Sequence, residues 1–307
     1  MRARDERHHF YRYSGMLIGS QMELPEWVPF AVDPADEVDI CLAIDPNLPG
    51  PAHDDGASHW DGETLSFTID DVGRWSVGAG TTIRIARFPG ASDAAIRAFT
   101  LGSAWAAIGY QRGWAMLHGS CVEIGNKAVL FCGAQEQGKS TMAAALIARG
   151  HRLLVDDLAR VERSEDVAQI YPSAPRLKLW RDTIDQLDWN GNIVAQDDFR
   201  DEKFHLSVPS RGPVGPAALG AIVLLEWGEE HSLSPVTGSA AVQAVLKAAT
   251  YRSEMLTAMG SHASQAAKIA EVIAMVPVLK LVRPRDLNLI SESCNLVEQR
   301  FCYVQTN

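Results

Sequence analysis

Short apolar runs broken by proline, glycine and aspartate fill the first part of the chain. Between residues 11 and 89 the runs MLIGSQMEL, VDICLAID, ETLSFTID and TTIRIARF follow one another with polar breaks. Short alternating segments of this kind are typical of half-buried strands. The pattern predicts a small, mostly antiparallel sheet, which we assign to an N-terminal β-rich domain at residues 1–90.

The spacing of apolar residues becomes helical after this domain. Between residues 92 and 113 they recur at roughly helical intervals, at Ala95, Ile96, Phe99, Ala106 and Ile108. Ser92 is a suitable N-cap for such a helix. The pattern therefore predicts a helix that leads into a second domain, at residues 91–307.

The second domain begins with a strong hairpin signal. The runs AMLHGSCVEI and KAVLFC flank the dipeptide Gly125-Asn126, which favours a tight turn between two strands. TMAAALIAR then predicts a helix, and Gly150 stands where a C-terminal capping glycine belongs. HRLLV predicts the next strand, which ends at Asp156 and Asp157.

Strands and helices alternate through the remainder. LARVERS, VAQIYPS, AALGAIVLLEW and PVLKLVRP predict strands, and residues 240–259 and 262–275 predict two helices. Residues 182–216 are polar and poorly patterned, so we expect a mobile excursion there. This alternation predicts an α/β domain.

Composition and charge exclude several classes of protein. The 307 residues are 47% apolar and 21% charged, as in an ordinary globular protein, and the formal charge of −10 argues against a nucleic-acid partner. Five scattered cysteines without C-x-x-C spacing predict neither disulfides nor zinc, and therefore a cytoplasmic location. A charged N-terminus without a signal peptide and the absence of a long apolar run predict no membrane association. The adjacent His8 and His9 are interpreted as surface residues.

One motif carries specific chemistry. Residues 131–141 read FCGAQEQGKST, in which Gly133, Gly138, Lys139 and Ser140 fit the phosphate-binding pattern G-x-x-x-x-G-K-[ST]. Glycines let the backbone N–H groups approach phosphate oxygens, the lysine neutralises the β- and γ-phosphates, and the serine hydroxyl binds Mg²⁺. The alternative is a glycine-rich turn that merely caps a helix.

The full nucleotide-binding prediction covers the loop and the first helical turn. It comprises Gly133, Ala134, Gln135, Glu136, Gln137, Gly138, Lys139, Ser140 and Thr141. Within it, Glu136 brings a carboxylate close to phosphate unless its side chain points outward.

The length of the following elements predicts a partner for this loop. A helix of about ten residues carries the chain ~15 Å away, and a strand of about five residues returns it by ~17 Å. If that strand runs parallel to the first, Asp156 and Asp157 arrive beside the loop. Mg²⁺ on phosphate oxygens with an Asp facing the acceptor hydroxyl is a kinase arrangement. The alternative is an Asp pair that only solvates a turn, and His118 is either a donor to this site or a structural histidine.

The same residues resemble a known family. The run HGS from His118, the loop GAQEQGKS and RGHRLLVDD up to Asp157 are similar to the catalytic core of bacterial HPr serine kinase/phosphorylase, densely over residues 115–160. The segments YRYSGMLIGSQMELPEW, PRLKLW and VPVLKLVRPRDL resemble the shorter HPr-kinase-like proteins encoded with lasso peptide biosynthesis genes. The resemblance implies an α/β fold with a P-loop, HPr-kinase-like core sheet, flanking helices and a smaller N-terminal β-rich domain.

The resemblance also implies roles and cofactors. ATP and Mg²⁺ would be bound by the loop, with Asp156, His118 and Lys139 catalytic and with Ser140 and Asp157 on the metal. Basic residues near the mouth of the site are candidates for gripping a substrate phosphate, namely Arg176, Lys178 and Lys203. The family's loop usually carries Ser-Gly where this chain has Gln135-Glu136, a departure that bears on nucleotide affinity.

The predicted function is an ATP-dependent kinase that phosphorylates a serine of a precursor peptide, typically the C-terminal one. The alternatives are an HPr-type kinase/phosphorylase, another small-substrate kinase, and a non-catalytic nucleotide-binding regulator. The sequence leaves open which peptide is modified and whether identical subunits associate. The predicted Asp base has an ordinary pKa near 4, so we expect it to act mainly by orientation.

Overall fold

The computed structural model describes residues 8–50, 58–209 and 215–302. The charged N-terminal segment up to residue 7, on which the signal-peptide argument rests, lies outside the described residues, as do residues 210–214 of the expected excursion. The chain divides into two compact units, Met1–Trp114 with Arg252–Gln265, and Ala115–Tyr251 with Ala266–Asn307. The boundary near residue 90 stays a prediction about where a separate domain begins.

A seven-stranded sheet forms most of the first unit. Its strands are β1 (His9–Tyr13), β2 (Met16–Ser20), β3 (Ile40–Ile44), β4 (His59–Trp60), β5 (Thr64–Ile69), β6 (Gly73–Gly78) and β7 (Thr82–Arg87). Their order is β1-β2-β3-β7-β6-β5-β4. Only the β2–β3 and β3–β7 pairs are parallel, which confirms the mostly antiparallel prediction for the described strands.

The predicted helix is present but irregular. It comprises α1 (Asp93–Phe99), a π-helical turn (Thr100–Ala104) and α2 (Trp105–Gln111). The hydroxyl of Ser92 accepts a 2.9 Å hydrogen bond from the N–H of Ala95, as its predicted N-cap role requires.

The second unit opens with the predicted hairpin. β8 (Ala115–Ile124) and β9 (Lys127–Cys132) pair antiparallel around Gly125 and Asn126, whose φ angles of 55° and 66° suit a type I′ turn. Helix α3 (Lys139–Ala148) follows the loop, and Gly150, with φ of 97°, ends it as predicted.

The strand that returns from α3 ends at the Asp pair, as the sequence predicted, and a further strand follows it. β10 (Arg152–Val155) and β11 (Leu158–Ser164) both pair antiparallel with β8, so they form one long run interrupted at Asp156 and Asp157. β9 and β10 are each antiparallel to β8 and therefore parallel to one another, with β8 between them. Because Ser120 of β8 pairs with Phe131 near the end of β9, the interruption lies one strand away from the start of the loop.

Much of the expected mobile excursion forms regular structure, so that prediction is wrong for residues 182–209. β13 (Arg176–Trp180), β14 (Ile193–Asp197) and β15 (Arg200–Ser207), which follow β12 (Val167–Ile170), form a small sheet in the order β13-β15-β14, and α4 (Arg181–Gln186) connects β13 to it. Buried side chains on one face of this sheet join the core beside α3, at Leu177, Leu179 and Leu206. These few apolar positions anchor an otherwise polar segment.

The central sheet continues with β16 (Ala217–Trp227), β17 (Ser232–Val236) and β18 (Val278–Arg283). β8, β11, β12, β16 and β9 pair in a closed ring. β9, β16 and β18 run parallel, so their carboxyl ends meet at one edge of the sheet. This edge carries the glycine-lysine loop.

Four further helices are α5 (Gly238–Ala249), α6 (Ser253–Ala258), α7 (His262–Ile273) and α8 (Ile290–Cys302). Of these, α6 and the first residues of α7 belong to the first unit. The helix predicted over residues 240–259 is divided in two, with Arg252 in a left-handed conformation at φ 49°, and α8 and β17 were not predicted. Alternate residues of β8 and β9 face either α5 and α7 or α3 and α8, so the second unit is a mixed α/β structure with helices on both faces. No helix of the described ranges is both long and apolar enough to span a membrane.

Candidate functional site

The glycine-lysine loop, residues 133–140, joins the end of β9 to the start of α3. Gly138 is the N-cap of α3, with φ of 71°, which a glycine adopts without strain. Ala134, Gln135 and Glu136 are exposed, and Glu136 has φ of 63°. Left-handed backbone at a non-glycine residue is strained, so Glu136 occupies a position that suits glycine.

The ammonium group of Lys139 is folded onto its own loop. Its Nζ donates to the carbonyl oxygens of Gly133 at 2.9 Å and Ala134 at 3.1 Å. The residue is buried, and burial lowers its pKa. The loop therefore holds a desolvated cation whose only described hydrogen-bond partners are neutral carbonyls.

Asp156 accepts hydrogen bonds from three different residues around the site. Its Oδ1 accepts hydrogen bonds from Ser120 Oγ at 2.6 Å and Ser140 Oγ at 2.9 Å, and its Oδ2 accepts from the N–H of Lys178 at 3.0 Å. Burial raises its pKa, against the effect of the Ser120 hydrogen bond and together with the charge of Asp157. The expectation that Asp156 has an ordinary pKa near 4 is therefore wrong, because burial raises this pKa. Asp156 is accordingly a better proton acceptor than an exposed aspartate.

Asp157 instead lies between a histidine and a lysine. Its Oδ1 lies 3.4 Å from His118 Nε2 and its Oδ2 lies 3.6 Å from Lys178 Nζ. Burial alone would raise its pKa, but the charges of Lys178, His118 and Lys203 together lower it to about 2. Its φ of 82° is a left-handed conformation, and strain of this kind is concentrated at functional sites.

His118 faces the Asp pair from β8. It pairs with Leu158 across the strands, and its ring meets that of Tyr251 edge to face at 5.6 Å. Burial lowers the pKa of His118 to about 4, despite the opposing charge of Asp157. The imidazole is therefore neutral at physiological pH and can donate one hydrogen bond and accept one.

One face of the β13–β15 pair is basic. Lys178 lies opposite His205, and Trp180 lies opposite Lys203, whose Nζ is 5.5 Å from the centre of the Trp180 ring. The pKa of Lys178 is raised, chiefly by Asp157, whereas burial lowers that of Lys203. His205 is itself held by Asp197, with Nε2 and Oδ2 3.3 Å apart.

The structure brings most of the predicted residues together, but not in the predicted pairs. Ser140 bonds to Asp156 rather than to Asp157, with which it was expected to share a metal. Thr141 turns toward Thr183, with their hydroxyls 3.3 Å apart. Arg176 begins β13 opposite Ser207, two residues before Lys178.

Two polar residues of this site were not assigned a role from the sequence. Ser120 lies in the quoted HGS run, but nothing local indicates that its hydroxyl reaches Asp156. The alternation of polar and apolar residues in RLKLW and KFHL would have predicted two strands with a shared basic face, and with it His205.

The donors at this site fit a magnesium nucleotide. Ser140 and the two aspartates offer hard oxygen ligands, which Mg²⁺ prefers, and Mg²⁺ is commonly bound by one or two carboxylates together with substrate phosphates. Among the described residues there is no cluster of three or more His, Cys, Asp or Glu that could hold a metal. Lys139 and the N-terminus of α3 supply positive charge for an anion.

Comparisons with known proteins concern this same part of the chain. Residues 113–178 match the family model of the HPr serine kinase C-terminal domain. Proteins described as HPr kinase/phosphorylase from Bacillus pumilus, Bacillus licheniformis and a Geobacillus species are each 41% identical to this chain over 61 residues. Those residues are 20% of this chain, and the chain spans only 19% of each relative's length.

A solved structure is more distantly similar. The Hpr(Ser) kinase/phosphatase from Coxiella burnetii matches over 60% of this chain and 95% of its own, with 13% identity and a TM-score of 0.33, which is too low to support a conclusion. The sequence similarity, in contrast, includes the loop, His118 and both aspartates. The segment that builds the candidate site is thus similar to the C-terminal domain of HPr serine kinases.

Proposed function

We propose that the protein is an ATP-dependent kinase that transfers the γ-phosphoryl group to a serine hydroxyl of a peptide. The observation that carries this proposal is the 2.9 Å hydrogen bond between Ser140 of the loop and Asp156. It supports a single pocket in which a phosphate loop and an acceptor-side carboxylate meet. The similarity of residues 113–178 to HPr serine kinases supports the same reaction class.

In this proposal the nucleotide is bound by residues 133–141. Lys139 would exchange its hydrogen bonds to the two loop carbonyls for interactions with phosphate oxygens. The negative charge of the phosphate would offset the free-energy cost of desolvating the ammonium. Ser140 and an aspartate would hold Mg²⁺, which supplies charge neutralisation of the phosphates. Exposure of Glu136 keeps its carboxylate in water, where its repulsion of phosphate is screened.

The two aspartates would have separate roles. Asp156, with its raised pKa, would orient the acceptor hydroxyl and receive its proton. Asp157, whose pKa is held near 2, remains an anion at every physiological pH, as a metal ligand must be. The bond between Ser140 and Asp156 favours the opposite assignment, with Asp156 on the metal, and the paired variants described in the Discussion distinguish the two.

The basic face of β13 and β15 would accept the anionic side of the acceptor. Lys178 and Lys203 are the candidates for holding the transferred phosphoryl group, because both carry charge next to Asp157. Neutral His118 would donate a hydrogen bond to a phosphate oxygen or to Asp157. Arg176, at the start of the same face, would extend this surface toward the rest of the substrate.

A precursor peptide with a C-terminal serine is the substrate we propose, in a cytoplasmic setting without nucleic acid or membrane. The support is the resemblance of the segments YRYSGMLIGSQMELPEW, PRLKLW and VPVLKLVRPRDL to kinases encoded with lasso peptide genes. The second candidate is an HPr-type protein serine kinase/phosphorylase, which the names of the similar Bacillus proteins favour.

Incubation of the purified protein with ATP, Mg²⁺ and either peptides ending in serine or HPr protein tests these functions. A mass gain of roughly 80 Da, one phosphate, on a peptide supports the first, and the same gain on HPr supports the second. A matched peptide that ends in alanine should gain no mass. ATP binding without transfer to any acceptor would instead favour a nucleotide-binding regulator.

A further inference from the structure

A buried arginine touches the loop from the side of the parallel strands. Arg283 ends β18, and only 3% of its surface is exposed. Its Nη2 donates to the carbonyl oxygen of Gln137 at 2.8 Å and approaches that of Gly138 at 3.4 Å. These are the last two residues before Lys139, so Arg283 acts on the part of the loop where α3 begins.

No described carboxylate compensates the charge of Arg283. None lies at ion-pair distance from its guanidinium in the part of the chain that the structure describes, and its Nε is buried without a hydrogen-bond partner there. Its guanidinium lies instead over the ring of Trp227, at the end of β16, with 4.3 Å between Cζ and the ring centre. Burial lowers the pKa of Arg283 to about 10. A buried cation without an ion pair destabilises the folded protein unless a bound anion offsets the cost of its desolvation.

The geometry of the peptide bond relates the Arg283 contact to the direction of the N–H groups of the loop. In a planar trans peptide the C=O and the following N–H point in opposite directions. Because the carbonyl of Gln137 points at Arg283, the N–H of Gly138 points away from it. The carbonyl of Gly138 is held by α3 itself, since it accepts a 2.9 Å hydrogen bond from the N–H of Met142. The N–H of Gly138, the N-cap residue, lies at the N-terminal end of α3, where phosphate would be bound.

Glycine at position 138 is required by the same contact. A Cβ atom added there would lie 2.5 Å from Nη2 of Arg283, so any larger residue would displace the guanidinium. Lys139 holds the carbonyls of Gly133 and Ala134 at the other end of the loop. Two cations thus fix the loop carbonyls from two ends.

We propose that Arg283 is a positioning residue for nucleotide phosphate: it fixes the carbonyl of Gln137 so that the N–H of Gly138 faces the phosphate site, and its charge adds to the attraction for the polyphosphate. This inference rests on the proposed nucleotide-binding role of the loop. It assigns a function to the end of β18, about 150 residues away in the chain, outside the segment that matches the kinase family. Trp227 supports the arginine by stacking and needs no contact with the nucleotide.

Calorimetric titration of Arg283→Met with MgATP and with inorganic pyrophosphate tests the proposal. We expect both affinities to fall about tenfold to hundredfold, as for the loss of a charge-assisted hydrogen bond, and the salt dependence of ATP binding to weaken. Arg160→Met is the matched control, because Arg160 is also buried but pairs with Glu162 on β11. It should leave both affinities unchanged.

Trp227→Leu gives an independent check. Combined with Arg283→Met it should cost no more affinity than Arg283→Met alone, since Trp227 acts through the arginine. Should Arg283→Met fail to fold, Arg283→Lys carries the test, because it keeps the charge but loses the planar fork and should lose affinity severalfold.

The outcomes are distinct. A folded Arg283→Met or Arg283→Lys protein that binds MgATP and pyrophosphate as tightly as wild type overturns the proposal and leaves the kinase function standing. A wild-type protein that binds neither ligand overturns the proposed function and this inference together.

Discussion

The hydroxyl of Ser140 lies 2.9 Å from Oδ1 of Asp156, although 16 residues separate the two in the chain. The bond joins the first turn of α3 to the interruption between β10 and β11. It means that the group expected to bind Mg²⁺ and the carboxylate expected to serve the acceptor are already in contact without a ligand. Variants of the residues around this contact distinguish metal binding from proton acceptance.

Replacing the two aspartates separately should separate their roles. Asp156→Asn should leave MgATP binding nearly intact and reduce transfer at least about a hundredfold, because the proton acceptor is lost. Asp157→Asn should weaken Mg²⁺-dependent ATP binding. Titration with ATP in the presence and absence of Mg²⁺, alongside phosphorylation rates, measures both effects.

The reverse pattern, with metal dependence lost in Asp156→Asn, would assign Asp156 to the metal. Asp166→Asn, an exposed aspartate on the β11–β12 turn, is the control and should behave as wild type. Full activity in Asp156→Asn would remove that residue from the mechanism.

Ser120→Ala should act through Asp156 alone. Loss of the 2.6 Å hydrogen bond removes an interaction that lowers the pKa of Asp156, so that pKa rises further. We expect kcat to fall about tenfold with the KM for ATP unchanged, and the acid limb of the pH–rate profile to move to higher pH.

The control for Ser120 is Ser76→Ala, which removes a buried hydroxyl from β6 of the first unit. A purely structural role for Ser120 would lower the melting temperature without moving the acid limb, and that result would contradict the prediction.

Lys139→Met should separate stability from function. Among the described residues the buried ammonium donates hydrogen bonds only to carbonyls, so its removal should leave the free energy of unfolding unchanged or raise it by about 1–2 kcal/mol. ATP binding and turnover should fall by about a hundredfold or more, since the charge on the phosphates is lost. Thermal unfolding and ATP titration check the two halves, with Lys268→Met, at a half-exposed lysine that pairs with Glu271, as control. Tight ATP binding by Lys139→Met would exclude the loop as the phosphate site.

Glu136 should limit nucleotide affinity in two ways. Its φ of 63° is strained for a residue with a Cβ atom, by about 1 kcal/mol, and its charge repels phosphate. Glu136→Gln, which removes only the charge, should strengthen ATP binding about twofold, and more at low salt. Glu136→Gly should strengthen it further. Weaker binding in both variants, measured by ATP titration, would mean that the side chain contacts the nucleotide.

His118 should make stability depend on pH. Burial lowers its pKa to about 4, whereas the unfolded value is about 6.5. Between these values the unfolded chain binds a proton at His118 and the folded chain does not, so the free energy of unfolding falls as the pH falls. Below about pH 4 both states are protonated and this dependence ends.

His118→Gln should flatten the dependence in that window. Urea unfolding at intervals from pH 4 to 8, for variant and wild type, isolates the effect because other titrating groups contribute to both curves. His262→Gln replaces an exposed histidine and should reproduce the wild-type curve. Parallel curves for His118→Gln and wild type would show that His118 titrates normally.

Local sequence signals were enough to predict several turns and helix ends, and the glycine-lysine loop of the site. The Gly125-Asn126 turn, the Ser92 cap and the Gly150 helix end were all predicted from residues a few positions apart. Segments whose structure depends on distant partners were predicted poorly. Residues 193–207 were expected to be irregular because the segment is largely polar, but they form strands, because Leu206 and the leucines of β13 share a core with α3.

The sequence by itself determined the chemistry available: a glycine-lysine-serine loop before a helix, and two aspartates one short helix and one short strand further on. Only the tertiary structure decided how those groups are paired. Register along β8 selects Asp156 for Ser120 and Ser140 and leaves Asp157 to His118 and Lys178. The contact of Arg283 with Gln137 likewise depends on parallel strands that are far apart in the chain. The physical reason is that periodicity encodes which face a residue takes, whereas register and strand order follow from packing of the whole core.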